Sequence, residues 1–486
     1  MIIGRKAEIQ RLNKVFSSKE AELVVLYGRR RIGKTFLIRQ FFAEKKCIFF
    51  QSNGLQKGSL KKQLLHFSES LSEIFTKGVA IKPPSSWGEA FSTLSQFIEQ
   101  STEKKTKQKF VIFLDELPWM ATKRSGLLEA LDYYWNRYWS TSSNIVVIVC
   151  GSSASWLIKN IIYNKGGLHN RCTCEIKLDP FNLSETNAYL KSRGINLKKN
   201  YVLDIYMALG GIPYYLKYVE PGLTAAENIQ HIHFDKKAPL KDEFRKIFTS
   251  LFTEAEIYIQ LIKLIAKEKH GISRAELESS SQLSRGGGRL TECLDQLIQT
   301  NFIESYVPWN KERGEFYKII DEFSLFYIYW LSSITTKSHS PDYWLKQVNK
   351  PIYHVWAGYA FEAVCHKHIA QVLVALNIKT AENISAWKLT TRSKGEEGAQ
   401  IDLLIDRSDD AINVCEIKYT DSPFVTDKSY AEKLKKKIDI FKKTTKTNKQ
   451  IFLTMISAHG LKATIYSEDM VSGLVTLEDL FLQDNS

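Results

Sequence analysis

Residues 23–42 read LVVLYGRRRIGKTFLIRQFF. An apolar run of strand length ends at Tyr27, a loop opens at Gly28, and an amphipathic helix pattern follows from Phe36. Gly28 to Thr35, GRRRIGKT, satisfies G-x-x-x-x-G-K-[ST] at every required position, the loop that cradles phosphate between a buried strand and a helix. Its glycines let backbone N–H groups turn inward around phosphate oxygens, and the helix N-terminus adds its dipole. Lys34 then reaches the β- and γ-phosphates, and Thr35 offers its hydroxyl to Mg²⁺. The nucleotide contacts expected of this loop run through Gly28, Arg29, Arg30, Arg31, Ile32, Gly33, Lys34, Thr35 and Phe36, and the cofactors implied are ATP and Mg²⁺. Only backbone N–H groups must face phosphate at the variable positions, so the three arginine side chains are expected to project outward.

Such a loop needs a partner strand that ends in acid. Residues 109–120, KFVIFLDELPWM, supply one, with Phe110 to Leu114 as a buried parallel strand followed by Asp115 and Glu116. Asp115 is expected to hold the Mg²⁺ shell, and Glu116 to orient or activate the attacking water. A third apolar strand, NIVVIVCGSSASW, ends in Gly151, Ser152 and Ser153, and strand C-termini line the ligand crevice of a doubly wound sheet. Ser152 or Ser153 there either senses the γ-phosphate or belongs to a simple turn. Arg171, ahead of the next strand, is either an arginine finger or sensor, or a solvent-exposed side chain.

The order IGRKAEIQRL, GRRRIGKT, FLDELPW, GSSASW, LDPFNLSE and GGIPYYL resembles the archaeal-type ATPases of the AAA+/STAND group of P-loop proteins. The resemblance implies that Gly4, Arg5 and Glu8 lie on the adenine side of the nucleotide. It also implies that Gly210, Gly211, Ile212 and Pro213 form a lid segment closing over it. Without the resemblance, Arg5 and Glu8 read as an i, i+3 surface pair, and Gly210 to Pro213 as a helix stop followed by a turn.

From about Arg245 the pattern changes to short amphipathic helices: AEIYIQLIKLIAKE, SRAELESSSQLS and GGRLTECLDQLIQTNFI, the last with Leu290, Leu294, Leu297 and Ile298 on one face. ESYVPW and FYKIID then form a candidate hairpin, and three helices followed by a hairpin reads as a winged helix. Arg285 and Arg289 would be its contacts to phosphate or bases. ATPases of the resembling type carry a winged helix after the lid, and use it for packing or partners as well as for DNA. The aromatic segment DEFSLFYIYWLSS is expected as a buried interdomain element, and SHSPDYW as a linker.

Beyond Tyr353 a helix, three strands, a basic helix and a further strand give an α/β layout with a mixed sheet. Asp402 in QIDLLID and Glu416 in VCEIKY sit on neighbouring strands, with Lys418 on the face of Glu416 because strand side chains alternate. If the two strands pair across RSDDA, two carboxylates and a lysine surround one space. Such a cluster can hold Mg²⁺, whose bound water attacks a phosphodiester, with Glu362 on the preceding helix as a further ligand. An acid-bearing helix, QIDLLID, a short loop and VCEIKY in that order resembles the PD-(D/E)xK nuclease superfamily and its restriction-endonuclease-like fold. Asp402 follows Ile401 where that superfamily usually has Pro. His366 and His368, at i, i+2 on the helix of Glu362, face apart and form no shared metal site.

Composition bounds the rest. At 486 residues several domains are expected, and the segmentation is 1–180 for a P-loop ATPase core, 181–243 for a helical lid, 244–335 for a winged helix and 350–486 for a nuclease-like domain. The fold class is therefore α/β: a parallel sheet sandwiched by helices, then helical lid and winged helix, then a restriction-endonuclease-like α/β domain. A net charge of +14 favours acidic partners, DNA first, although many lysines fall in a solvated run near the C-terminus, EKLKKKIDIFKKTTKTNK. No apolar run is long enough to span a bilayer and no signal peptide is apparent, so a cytoplasmic protein without a membrane partner is expected. Cys172 and Cys174 form an isolated C-x-C, which reads as reduced thiols and not as a zinc site. The function implied is an ATP-hydrolysing switch coupled to a DNA-directed nuclease-like domain, with assembly as a homo-oligomer left open. The alternative is a regulatory or scaffold ATPase with an inactive binding module.

Overall fold

Five apolar segments of unit 1, Met1–Asp179, build one parallel sheet in a computed structural model of the chain. The structure describes residues 1–486 except 104–107, 164–165, 269–270, 282–287, 310–313, 333–341, 390–397 and 484–486. The strands are β1 (Glu22–Tyr27), β2 (Cys47–Asn53), β3 (Lys109–Asp115), β4 (Ile145–Gly151) and β5 (Cys174–Lys177), in the order β2-β3-β4-β1-β5. Every residue of β4 is buried, as are all but the first of β1 and of β3, because helices cover both faces of the sheet. Phe50, Phe67, Trp87, Phe91 and Trp139 fill one of those faces. The strands are level at their C-terminal ends: Tyr27 pairs with Gly151, Asn53 with Asp115, and Leu114 with Val149. The turns that begin at Gly28, Glu116 and Ser152 therefore open on one edge, with β4 lying between the other two strands.

Unit 2, Pro180–Ser486, contains all three segments expected as separate domains after the ATPase core. Side chains from each of them interlock, which is why they form one unit. Helix Glu322–Phe326 packs against helices Lys199–Leu209 and Pro351–Lys367. Lys367 donates to both oxygens of buried Glu322, at 3.0 and 2.8 Å. Asp204 accepts from the hydroxyls of Tyr419 at 2.9 Å and Tyr353 at 3.2 Å. The indole of Trp309 donates to Asp406 at 2.8 Å.

Helices Ala255–Lys267, Arg274–Ser280 and Gly288–Gln299 precede β7 (Ile303–Tyr306) and β8 (Phe316–Ile319); a two-residue strand, β6 (Ile272–Ser273), joins them in a sheet of order β6-β8-β7. Ser273 and Glu276 form a capping box that starts the second of these helices, a contribution of about 1 kcal/mol. Leu290, Leu294 and Leu297 are buried along the third. Arg285 lies outside the described residues, and Arg289 is engaged by Glu254 in an exposed ion pair. The expected linker is corrected at its end: Trp344 is buried among Phe234, Phe326, Trp330 and Trp356, so aromatic packing recruits it into the core. The aromatic segment before it is likewise interior at Phe323, Phe326 and Trp330.

The second large sheet has the order β15-β13-β11-β10-β9, formed by β9 (Ala381–Leu389), β10 (Ala399–Arg407), β11 (Ala411–Lys418), β13 (Gln450–Ser457) and β15 (Val471–Thr476). β9, β10 and β11 are antiparallel neighbours, whereas β13 and β15 join in parallel. Two further short strands, β12 (Phe424–Val425) and β14 (Leu461–Lys462), pair with each other. Helix Lys428–Thr445 lies over this sheet, its Leu434 and Phe441 packed with Ile401, Leu404, Trp387 and Trp309. All seven cysteines are free thiols. Among the described residues no helix is long and apolar enough to cross a membrane.

Candidate functional sites

The loop after β1 turns at Gly28, whose φ of 145° and contact with the Leu178 backbone exclude any Cβ: one would sit 2.3 Å from the Leu178 carbonyl oxygen. Gly33, at φ 94°, caps helix Lys34–Ala43 in the left-handed region that favours glycine. Between them Arg31 is itself left-handed, at φ 74°. These turns decide where the arginines go, and the expectation that all three project outward is corrected. Arg29 is fully buried, and Arg30 holds its guanidinium 5.5 Å from the ring centre of Trp119. A requirement on backbone N–H groups does not constrain the side chains, and the reversed backbone at Arg31 breaks the simple alternation of an open loop. Ile32 is buried, whereas Phe36 is 52 % exposed at the start of the helix.

Lys34 is buried and its ammonium donates to three acceptors: the Gly28 carbonyl at 2.9 Å, the Arg29 carbonyl at 3.0 Å and the Ser152 hydroxyl at 3.0 Å. Ser152 in turn donates its hydroxyl to Glu116 Oε1 at 2.6 Å and its N–H to Glu116 Oε2 at 3.0 Å. Of the two serines after β4, it is Ser152 that links the lysine to the acid. On the other side of the loop Thr35 donates to Asp115 Oδ2 at 2.6 Å, and Asp115 Oδ1 accepts the Glu116 N–H at 3.0 Å. Glu116 occupies the left-handed region, φ 50°, a conformation of about 1–2 kcal/mol for a residue with a Cβ. Strand order explains the cluster: β4 separates β1 from β3, so its C-terminal serine falls between the lysine of one and the glutamate of the other. Thr35 and Asp115 present adjacent oxygen donors, the type that Mg²⁺ takes together with water and phosphate oxygens.

Arg5 is buried and reaches the same loop. Its guanidinium donates to the Asp179 carbonyl at 2.6 Å and to the Ile32 carbonyl at 3.4 Å, and pairs with Glu8 at 3.6 Å. The surface-pair reading of Arg5 and Glu8 is thus excluded, because the pair sits against the loop and not in solvent. Arg171 is corrected as a residue acting on its own chain's phosphates. It is exposed and lines a cleft with Ala21, Ser143 and Thr173, at the N-terminal edge of the sheet. Thr173 bonds Leu23, so the length of β1, about 17–20 Å, separates Arg171 from Gly28.

In unit 2, Leu403 pairs with Cys415 in the antiparallel register of β10 and β11, which sets Asp402 opposite Glu416. Asp402 Oδ2 accepts the Ile417 N–H at 3.2 Å. Glu416 is buried and accepts from Tyr430 at 2.5 Å and Lys437 at 2.5 Å, and Lys418 lies 2.7 Å away. Burial raises the Glu416 carboxyl, but Lys437 and Lys418 outweigh it and hold the group down at about 2. Burial, then the charges of Glu416 and Glu362, raise Asp402 to about 6. Among the described residues no three His, Cys, Asp or Glu side chains converge as a metal-holding set. The expected ligand trio of Glu362, Asp402 and Glu416 is therefore corrected: Glu362 shares the field of Asp402 without joining a cage, and the oxygens of Glu416 are taken by cations and a phenol. These residues do not fit a divalent metal as they stand.

Sequence reasoning missed Tyr430 and Lys437, because their helix read as a solvated charge run. A signal was present: Tyr430, Leu434, Lys437 and Phe441 form one helical stripe, and a lysine in a buried stripe implies a partner. His366 and His368 are structural. His366 donates Nε2–H to the Asp402 carbonyl at 3.0 Å, and burial holds its pKa well below the ordinary value. His368 accepts the Leu183 N–H at 2.9 Å.

Residues 2–219 match the model of a family described as an ATPase domain predominantly from Archaea. An uncharacterized protein of Methanocaldococcus jannaschii is 24 % identical over 381 residues, covering 76 % of this chain and 78 % of that protein. An uncharacterized ATP-binding protein of the same organism is 46 % identical over 46 residues, 10 % of this chain and 78 % of its own length. Among solved structures, a Walker-type ATPase of Pyrococcus abyssi is similar with a TM-score of 0.46 and 19 % identity, covering 67 % of this chain and 96 % of that one. The first 219 residues thus carry a P-loop domain of ATPase type, matched by the archaeal family model.

Proposed function

We propose that the chain binds ATP with Mg²⁺ and hydrolyses it in unit 1, and that the nucleotide acts as a switch for a nucleic-acid-directed unit 2. One observation carries the catalytic part: Lys34 and Glu116 are joined through the single hydroxyl of Ser152. A phosphate-binding cation and a water-orienting carboxylate are thus held at one sheet edge, with the backbone N–H groups of the loop beside them. In this reading Lys34 holds the β- and γ-phosphates, Glu116 orients the attacking water, Ser152 reports on the γ-phosphate, and Arg5 braces the loop from the adenine side. Thr35 and Asp115 would hold Mg²⁺, which supplies charge neutralisation on the phosphates. Phosphate release by the full chain tests this: Lys34→Ala is expected to lose turnover by at least about 10²-fold. A Lys34→Ala protein that hydrolyses ATP like the parent ends the proposal.

Unit 2 is read as a winged helix followed by a restriction-endonuclease-like domain, with DNA as its partner. The occupied oxygens of Glu416 favour a binding module over a metal-dependent nuclease. The second reading, cleavage, is favoured by the cross-strand placement of Asp402, Glu416 and Lys418. Incubating plasmid DNA with Mg²⁺ or Mn²⁺ separates the two: cleavage by the parent that Asp402→Ala abolishes selects the second.

A further inference from the structure

Helix Leu60–Phe75 buries one face, along which Gln63, Phe67 and Leu71 follow one another at i, i+4 and i+8. Gln63 is 2 % exposed, and a glutamine in an apolar stripe needs partners for both ends of its amide. Its partners are main-chain groups. Gln63 Oε1 accepts the Leu55 N–H at 2.9 Å, while Nε2 donates to the Leu55 carbonyl at 2.7 Å and to the Trp119 carbonyl at 2.9 Å. Gly58 leaves room for this amide, since a Cβ there would sit 2.9 Å from Nε2. One side chain therefore ties the loop after β2 to the turn after β3. That turn carries Glu116: the Trp119 N–H returns to the Glu116 carbonyl at 2.9 Å. The loop after β2 also meets the turn directly, where the Gly54 N–H donates to the Asp115 carbonyl at 2.8 Å. A Cβ at Gly54 would lie 2.4 Å from the Glu116 carbonyl oxygen, so loop and turn fit closely. Glu116 is left-handed, a conformation that a residue with a Cβ keeps only where its surroundings over-determine it. Ser152 bonds its carboxylate, whereas Gly54 and Gln63 hold the main chain on either side of it. The ring of Trp119 lies under the Arg30 guanidinium, so the residue whose carbonyl Gln63 holds also touches the phosphate loop.

We propose that Gln63 is a positioning residue for ATP hydrolysis: through the Trp119 carbonyl it holds the Glu116 turn in the geometry that presents the carboxylate to Ser152 and to the attacking water. It rests on the reading of unit 1 as an ATPase in which Glu116 orients water. Gln63 acts on the acid and not on the phosphate-binding loop, so its loss slows the chemical step and leaves ATP binding in place.

The test measures ATP turnover by the full chain over a range of ATP concentrations with Mg²⁺, and single-turnover hydrolysis for the slow variants. Gln63→Met keeps the length of the side chain and removes its amide. It is expected to lower kcat by about tenfold to 10²-fold with KM within about threefold of the parent. A double-mutant cycle supplies the readout that a general loss of stability would not give. In a Glu116→Gln background the same change should cost less than about twofold, because the group it positions has already lost its charge. A parental kcat in folded Gln63→Met, a loss confined to KM, or losses that multiply in the double variant overturns the proposal. Circular dichroism and thermal melting check folding. Should Gln63→Met not fold, Gln63→Asn takes its place, with an amide one methylene short of the Trp119 carbonyl and the same outcomes. Failure of both to fold assigns Gln63 to stability alone and also overturns the proposal. Glu116→Gln at the parental rate ends the reading of Glu116 itself, whereas a slowed Glu116→Gln beside an unaffected Gln63→Met ends only this inference.

Discussion

The two carboxylate clusters differ in what their acids hold. At the edge of the first sheet, Asp115 and Glu116 bond neutral hydroxyls and backbone N–H groups, and Lys34 rests on carbonyls and a serine. No acid there is neutralised directly by the lysine, so cation and carboxylates face a shared space through Ser152. In the second sheet Glu416 is bonded to two ammonium groups and a phenol. The first arrangement keeps opposite charges apart and available to a phosphorylated ligand. The second cancels them internally, as a buried structural cluster does.

The largest expected consequence lies in the first cluster. Glu116→Gln keeps the hydrogen-bonding shape but removes the charge proposed to orient water, so ATP turnover should fall by about 10²-fold or more while ATP still binds. Single-turnover hydrolysis at the parental rate would show that the two clusters do not differ in chemistry as described. Next comes Lys437→Ala, which strips one of two cations from buried Glu416 and should lower the unfolding free energy by ~2 kcal/mol. Denaturant unfolding measures it, and a variant as stable as the parent would mean that Glu416 does not depend on its second ammonium.

A smaller effect is expected at Asp204, which ties its helix to Tyr353 and Tyr419. Burial, opposed by those two hydrogen bonds, raises its carboxyl from 3.8 to about 6. A raised folded pKa means that the protonated form stabilises fully below about pH 4, and that this contribution is lost as pH rises through about 6. Asp204→Asn should therefore flatten the pH dependence of thermal stability between pH 4 and 6, by at most ~2 kcal/mol because the side chain keeps some surface. Parallel pH profiles for parent and variant would count against it. Smallest of all, Arg171→Ala should leave turnover per chain within about twofold at low protein concentration, since the residue lies at the far edge of the sheet. A tenfold loss confined to concentrations where chains associate would assign the residue to a neighbouring copy's site.

Legibility tracked locality. The GRRRIGKT loop, the acid-ended strand and the serine-ended strand were readable because each is a short run whose residue types meet one backbone requirement. The pairing of β10 with β11 was readable for the same reason: a short polar loop between two apolar runs makes the hairpin the simplest connection. The burial of Arg29, the recruitment of Trp344 into an aromatic core and the role of Lys437 were not, since each depends on what another element brings to it.

By itself, then, the sequence determined the type of the loops and strands around GRRRIGKT, FLDELPW, GSSASW, QIDLLID and VCEIKY, and the chemistry available at Lys34, Thr35, Asp115, Glu116, Asp402 and Glu416. Tertiary structure alone decided which of those groups meet. Strand order put Ser152 between Lys34 and Glu116, and strand direction carried Arg171 to the opposite edge. Helix docking set Lys437 on Glu416, changing a candidate metal cluster into a neutralised floor. The physical reason is common to all three. Local runs constrain backbone dihedrals and alternation, whereas the pairing of charges across elements is set only when burial chooses how those elements stack.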